Sequence, residues 1–217
     1  WIWKYRYYVM NLLQLFQKCT SQNYIHVENS GDYFIERDGD ALYIYLECSN
    51  GIEDWKNNFN FPAKPYKRMG KAVWFAHRGF LKVWKSIEPY IERHVKDKSV
   101  KNITVVGYSH GAALAVFCHE YAWYHRPDIR NNLLGYGFGC PRVFWGIKSK
   151  QIKRRWERFK VIRNIDDIVT HVPPLWFGFS HIGTMIEIGR KGKYNPIDAH
   201  RPENIVAELE IIEKSNK

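Results

Sequence analysis

The stretch from Val105 to Ala115 carries residues whose types and spacing suit nucleophilic chemistry. A β-branched run ends at Gly107, Ser109 follows between two glycines, and small residues then begin a helical pattern. This strand–turn–helix context is the one that a G-x-S-x-G nucleophile elbow requires, although the five-residue pattern alone also arises by chance. The turn lifts the serine hydroxyl clear of the backbone. It therefore predicts Ser109 as a nucleophile and the N–H of His110 as a donor to the oxyanion.

A serine hydroxyl needs a base to take its proton and a carboxylate to orient that base. Asp166 and Asp167 follow a strand-like run, and three histidines lie C-terminal to them. His171 is only a few residues from this acid segment, and His181 directly precedes a strand, where a structural hydrogen bond is the simpler interpretation. His200 lies in a loop between the last strand and the last helix. The pattern favours His200 over His181 as the base and leaves both aspartates open.

Alternating strand and helix patterns must position these side chains. Periodicity predicts helices at 9–16, 80–95, 110–125 and 205–212, a hairpin of strands 33–35 and 41–46, and strands at 73–75, 103–106, 133–138, 159–162 and 184–188. Such alternation is typical of an α/β fold with a mostly parallel sheet and helices on both faces. The length of 217 residues fits a single domain over residues 1–217.

The charge balance restricts the partners. The chain carries a formal net charge of +11, and its densest basic block, 148–160, is predicted to be a solvated helix face. The charge favours a transient contact with an anionic membrane surface or serves solubility alone. We expect no nucleic-acid partner, because no nucleic-acid-binding signature accompanies the basic block. No run approaches the roughly 20 apolar residues of a membrane span.

The cysteines show neither a C-x-x-C pair nor metal-ligand spacing, so we expect neither a metal nor a cofactor. Cys48, Cys118 and Cys140 lie in apolar segments and are predicted to be buried small hydrophobes. A reducing compartment is slightly favoured, although four cysteines can also form two disulfides. Residues 1–10 show no signal-peptide pattern, but the chain begins with Trp, so a removed leader stays an alternative. The localisation is left open, with the cytoplasm slightly favoured over secretion.

Five stretches in order give the chain a strong resemblance to the class 3 (fungal-type) lipase family of the α/β-hydrolase fold, over about residues 30–205. They resemble the family's oxyanion loop and lid, its H-x-G-F helix start, its elbow, its F-G-x-P-R-V strand end and its acid segment. In this chain they are Leu46–Ser49 with Asp54-Trp55, His77–Phe80, Gly107–Leu114, Phe138–Val143 and Asn164–Pro174.

The resemblance implies individual roles. It selects Asp167 over Asp166 as the acid, matches His200 to the family's base, and makes Ser49 the second oxyanion donor. It also implies a lid over the acyl pocket, with a fixed surface helix as the alternative; the residues concerned are Ile52, Trp55 and Phe59. One departure is Cys48, which stands where the family usually has Gly. A positive φ there would strain a cysteine.

The implied activity is that of a serine carboxylic-ester hydrolase acting on lipid esters, a triacylglycerol lipase or esterase. A Ser109–Asp167–His200 triad would work through an acyl-enzyme. One alternative is a phospholipase acting at anionic membrane surfaces. Another is a catalytically idle member that binds membranes or acidic partners. The expected partner is a lipid or small ester, and the oligomeric state is left open.

Overall fold

The structure, a computed structural model, describes residues 11–27, 31–47, 63–68, 71–146 and 149–215. Within these ranges the strands are β1 (Ile25–His26), β2 (Asp32–Asp38), β3 (Ala41–Glu47), β4 (Ala63–Arg68), β5 (Lys71–His77), β6 (Asn102–Tyr108), β7 (Leu133–Phe138), β8 (Phe144–Trp145), β9 (Phe159–Asn164), β10 (Phe179–Ser180) and β11 (Thr184–Ile188). The α-helices in the same ranges are α1 (Leu12–Thr20), α2 (Arg78–Lys96), α3 (His110–His125), α4 (Lys150–Lys153) and α5 (Pro202–Ser215).

A seven-stranded sheet has the order β1-β2-β3-β6-β7-β9-β11. Strands β2 and β3 form the predicted antiparallel hairpin, which turns at Gly39 with φ of +56°. From β3 onward each neighbouring pair is parallel. The mostly parallel sheet predicted from the sequence is thus confirmed. Because the carboxyl ends of parallel strands meet at one edge, the residues that follow β6 and β9 lie close together there.

Helices cover both faces of this sheet. On one face α3 packs against β6 and β7, and α2 packs against α3. The buried side of α2 is the predicted stripe: Phe80, Trp84, Ile87, Ile91 and Val95. On the other face α1 and α5 bury their apolar residues against alternate positions of the same strands, such as Val106 and Phe138. Among the described residues, no helix is long and apolar enough to cross a bilayer.

A second, antiparallel sheet has the order β10-β8-β5-β4. The strand predicted at 73–75 belongs to it, as β5, and Trp145 in β8 pairs with Phe75 on one side and Phe179 on the other. This sheet was not predicted from the sequence. Strands β8 and β10 are two residues long each, too short for a periodic pattern, and segments far apart in the chain build it.

Candidate active site

Ser109 lies in a sharp turn between β6 and α3. Its φ of 55° makes it the one non-glycine residue with positive φ in the described ranges. Such a conformation costs about 1–3 kcal/mol and persists only where the surroundings hold it. Here the Ser109 N–H donates to the carbonyl of Phe138 at the end of β7, at 2.9 Å. The turn predicted from the sequence is therefore present and anchored to the neighbouring strand.

The two glycines of the motif are required by close backbone contacts. A Cβ on Gly107 would overlap the carbonyl of Gly111, and a Cβ on Gly111 would overlap the carbonyl of Leu46 on β3. Strand β6 and helix α3 therefore approach each other too closely for a side chain at Gly107. Helix α3 and strand β3 likewise leave no room for one at Gly111.

The structure brings Ser109, His200 and Asp167 into one line of hydrogen bonds. The Nε2 of His200 lies 2.8 Å from the Ser109 Oγ, and its Nδ1 lies 2.8 Å from the Asp167 Oδ2. The side chains of His200 and Asp167 are 1% and 0% exposed. The carboxylate fixes the proton on Nδ1, which leaves Nε2 to accept the serine proton. This geometry suits activation of the hydroxyl by a general base.

Asp167 is held by more than the histidine. Its Oδ1 accepts a hydrogen bond from the Val169 N–H at 2.8 Å, and its carbonyl accepts one from the Thr170 hydroxyl at 2.8 Å. Each carboxylate oxygen thus has its own donor. Asp166 points elsewhere, because its two oxygens accept from the N–H groups of Gly192 and Tyr194. These backbone donors lower the pKa of Asp166. Asp166 thus holds the loop at 192–194, whereas the carboxylate bonded to His200 is that of Asp167.

His200 is positioned by residues that were not predicted from the sequence. The Tyr108 hydroxyl donates to the His200 carbonyl at 2.6 Å, and the Tyr108 ring stacks on the imidazole at 5.1 Å. The Asn164 side chain at the end of β9 donates to the Ala199 carbonyl at 3.1 Å. A Cβ on Gly139 would lie 2.7 Å from the His200 Cε1. The available signal was that Tyr108, Gly139 and Asn164 all lie within the stretches that carry the family resemblance.

The other two candidate bases lie outside this arrangement. The Nε2 of His181 bonds to the Thr170 carbonyl at 2.7 Å, and burial lowers the pKa of His181 to about 4. The carbonyl of His171 accepts from Arg142, and burial also lowers the pKa of its side chain. In this structure His181 has the structural hydrogen bond that the sequence predicted.

The predicted oxyanion donors are only partly described. His110 is the first residue of α3, and the first N–H groups of a helix have no acceptor among the helix's own carbonyls. Its imidazole packs on the Phe80 ring at 5.0 Å, and burial lowers its pKa to about 4. The second donor, Ser49, its neighbour Cys48 and the predicted lid lie outside the described residues; the lid comprises Ile52, Trp55 and Phe59.

His77, in the H-x-G-F segment, has a structural role. It caps α2, with its Nδ1 accepting from the N–H groups of Gly79 and Phe80 at 3.2 and 3.4 Å. Burial lowers the pKa of His77 to about 4, so the imidazole stays neutral and can accept. In the described ranges no group of three or more His, Cys, Asp or Glu side chains is arranged to hold a metal ion.

Comparison with known proteins gives one consistent picture. A family model described as "Lipase (class 3)" matches residues 43–177. A lipase of Rhizomucor miehei is 26% identical over 148 residues, which cover 66% of this chain and 40% of the relative. The chain thus spans less than half the length of that curated relative.

Solved lipase structures share the fold. The lipase of Rhizopus microsporus var. chinensis superposes with a TM-score of 0.67 at 20% identity, over 86% of this chain and 71% of that one. A triacylglycerol lipase whose catalytic centre is formed by a serine protease triad gives a TM-score of 0.60 at 24% identity, over 74% of this chain and 62% of that one. At these identities the likeness shows the fold alone.

Proposed function

Because the chain belongs to the class 3 lipase family and has its α/β-hydrolase fold, we propose that it is a serine carboxylic-ester hydrolase that acts on lipid esters. The observation that carries the proposal is the continuous line of hydrogen bonds from Ser109 through His200 to Asp167 at the carboxyl edge of the parallel sheet, in which His200 and Asp167 are buried. A structural ion pair would not need a serine in a strained turn at one end.

The proposed reaction follows from this line. The Ser109 Oγ attacks the ester carbonyl while its proton passes to the His200 Nε2, and Asp167 stabilises the imidazolium that forms. The tetrahedral intermediate collapses when the imidazolium returns that proton to the alcohol, which leaves an acyl group on Ser109. Water, deprotonated by His200, then releases the acid and restores the serine. Asp167 stays ionised throughout.

The oxyanion is proposed to be held by the N–H groups of His110 and Ser49. The N–H of His110 is at the start of α3, where the helix dipole also favours negative charge. Loss of one such donor typically costs on the order of 10²–10³ in rate.

An apolar surface next to the acid and the base supports a lipid substrate. Ile168 follows Asp167 directly and is 45% exposed, and its N–H donates to the Pro196 carbonyl in the loop that carries His200. Directly after the acid segment, Leu175, Trp176 and Phe177 are 61%, 84% and 54% exposed. A run of large apolar side chains in water is costly, and aromatic residues partition well into a lipid–water interface. We assign this run, the apolar loop, as the part of the described surface that contacts lipid.

The substrate class has one further candidate. The net charge of +11 attracts anionic lipid surfaces, so a phospholipase activity is the second candidate function. The intact line of hydrogen bonds argues against the alternative of a catalytically idle member.

The similarity to fungal lipases gives no support to a cytoplasmic location, which the residue pattern slightly favoured over secretion.

Labelling with a fluorescent alkyl phosphonate tests the proposal, with Ser109→Ala as the matched control. The wild-type protein should take up the label in one position and hydrolyse a p-nitrophenyl ester, and the variant should do neither. A wild-type protein that is folded, unlabelled and inactive on both triglyceride and phosphatidylglycerol emulsions would refute it. The ratio of rates on those two emulsions decides between the lipase and the phospholipase.

A further inference from the structure

A pocket of about 200 Å³ lies at the opposite end of the sheet from Ser109. It is bounded by the start of β7 at Leu133, by Trp123 and the buried His119 on α3, and by the turn that precedes β9. Its walls carry arginines 130, 154, 155 and 158 and a single carboxylate, Glu157. The pocket is therefore strongly cationic.

The arginines of the pocket differ in how their charge is used. Arg155 donates to Glu120 at 2.6 Å and is only 18% exposed, so this part of the basic block is not the solvated helix face predicted from the sequence. Arg154 faces Glu157 at 3.7 Å, and both are about two-thirds exposed. An ion pair this exposed, with its charged atoms this far apart, contributes little to stability.

Arg130 and Arg158 have no carboxylate partner within the described residues, in contrast to Arg155. The guanidinium of Arg130 is nevertheless held in place: it lies 3.6 Å from the centre of the Trp123 ring, and its Nε donates to the Trp123 carbonyl at 2.9 Å. Its two terminal nitrogens make no hydrogen bond with any residue in the described ranges. A guanidinium fixed on an aromatic ring loses less conformational entropy when it binds an anion.

The buried ring of His119 forms part of the wall of the pocket. The residue is 1% exposed, and burial lowers its pKa to about 3 against the opposing effect of the Leu133 backbone. The contact with the Leu133 backbone is a hydrogen bond, so the neutral ring is held against the start of β7. His119 therefore adds no charge to the pocket, whose cationic character comes from its arginines.

We propose that this pocket, the arginine pocket, binds the phosphoryl group of a soluble phosphate ester. Arg130 and Arg158 would each donate to the phosphoryl oxygens. Guanidinium groups match phosphate geometry with paired N–H donors. The volume suits a phosphoryl group with a few attached atoms and is smaller than the roughly 300–1,000 Å³ of sites for drug-sized ligands.

The place of the arginine pocket favours a soluble ligand over a membrane headgroup. Leu133 lines the pocket, whereas Phe138, at the other end of β7, bonds to the Ser109 N–H. Five residues of strand span about 17 Å, so the pocket faces away from any lipid surface that the active-site end contacts. The assignment is independent of the proposed hydrolase activity, and Ser109→Ala should bind phosphate as the wild type does.

Calorimetric titration of the full chain with inorganic phosphate and with glycerol 3-phosphate tests the assignment. Sodium chloride at matched ionic strength controls for screening. Arg158→Gln removes an exposed guanidinium without a described side-chain partner, so the fold should tolerate it. Arg190→Gln, exposed and far from the pocket, makes the same change in net charge. We expect Arg158→Gln to weaken binding at least about tenfold, because a charge-assisted hydrogen bond is lost, and Arg190→Gln to leave it unchanged.

Pelleting with phosphatidic acid vesicles, against phosphatidylcholine vesicles, separates the two sources of a phosphoryl group. Binding to glycerol 3-phosphate that depends on Arg158 supports the assignment. A protein that binds phosphatidic acid vesicles but neither inorganic phosphate nor glycerol 3-phosphate would show that the ligand is a membrane lipid and not a soluble phosphate ester. Equal weakening by Arg158→Gln and Arg190→Gln, or no binding to any probe by the folded wild type, would overturn the site itself.

Discussion

Tyr108 holds His200 in two ways at once, through a hydrogen bond from its hydroxyl to the His200 carbonyl and through stacking of its ring on the imidazole. Tyr108 is the residue directly before Ser109, so one short stretch carries both the proposed nucleophile and a support for the proposed base. Burial raises the pKa of Tyr108, which keeps its hydroxyl protonated as a donor.

Tyr108→Phe should keep the stacking and lose the hydrogen bond. We expect kcat on a p-nitrophenyl ester to fall by about tenfold with little change in KM, and the free energy of unfolding to fall by about 1 kcal/mol. Steady-state kinetics and urea unfolding measure the two effects. An unchanged kcat together with the loss of stability would mean that Tyr108 supports the fold and does not position the base.

Substitutions at the neighbouring Asp166 and Asp167 should differ clearly in their effect on kcat. Asp167→Asn removes the carboxylate that holds the Nδ1 proton, and kcat should fall by about 10⁴-fold, as expected when the tautomer is wrong. Asp166→Asn changes only the loop at 192–194 and should leave kcat within about twofold. Equal losses in the two variants would show that the acid has not been identified correctly.

The choice of base has its own test. His200→Ala should abolish turnover, because no other described imidazole bonds to Ser109. His181→Ala should stay active but lose about 1–3 kcal/mol of stability, since the Thr170 carbonyl is left without its donor. Ester hydrolysis and thermal unfolding are measured on both proteins. The reverse pattern would move the base to His181.

The apolar loop should matter only at an interface. Trp176→Ser removes its most exposed aromatic ring and should reduce hydrolysis of emulsified triglyceride about tenfold, while a water-soluble p-nitrophenyl ester is hydrolysed as before. Ile211→Ser, a half-exposed residue on α5, is the matched control and should change neither rate. A loss with the soluble ester would place Trp176 in the catalytic site.

Acid should destabilise the fold through its buried histidines. Burial lowers the pKa of His77 from 6.5 to about 4, so between these values the unfolded chain binds a proton that the native chain refuses. Stability is then full above pH 6.5 and falls as the pH drops towards 4, by about 2 kcal/mol at pH 5 for this residue. His77→Asn keeps a helix-capping side chain without titrating and should reduce the loss between pH 7 and pH 5 by that amount. Urea unfolding at the two pH values measures it, and identical losses would contradict the assignment.

Local patterns were enough to predict most elements of the fold. The elbow turn, the helix that follows it and the stripe on α2 depend on residues close in sequence, whose periodicity and glycine spacing are readable directly. The order of serine, acid segment and C-terminal histidine was also readable. The choice of Asp167 over Asp166 came from the family resemblance, because neighbouring residues point in different directions that only the folded loop determines.

What the sequence by itself determined is the set of elements and the residue types able to do the chemistry. Only the tertiary structure decided which distant groups meet: Tyr108 with the carbonyl of His200, Asn164 with that of Ala199, and Arg130 with Arg158 around one pocket. The basic block shows the difference most clearly. Its charges are visible in the sequence, yet Arg155 pairs with the buried Glu120 and Arg158 lines a pocket, because the packing of α3 against β7, and of β7 beside β9, sets where each side chain can reach.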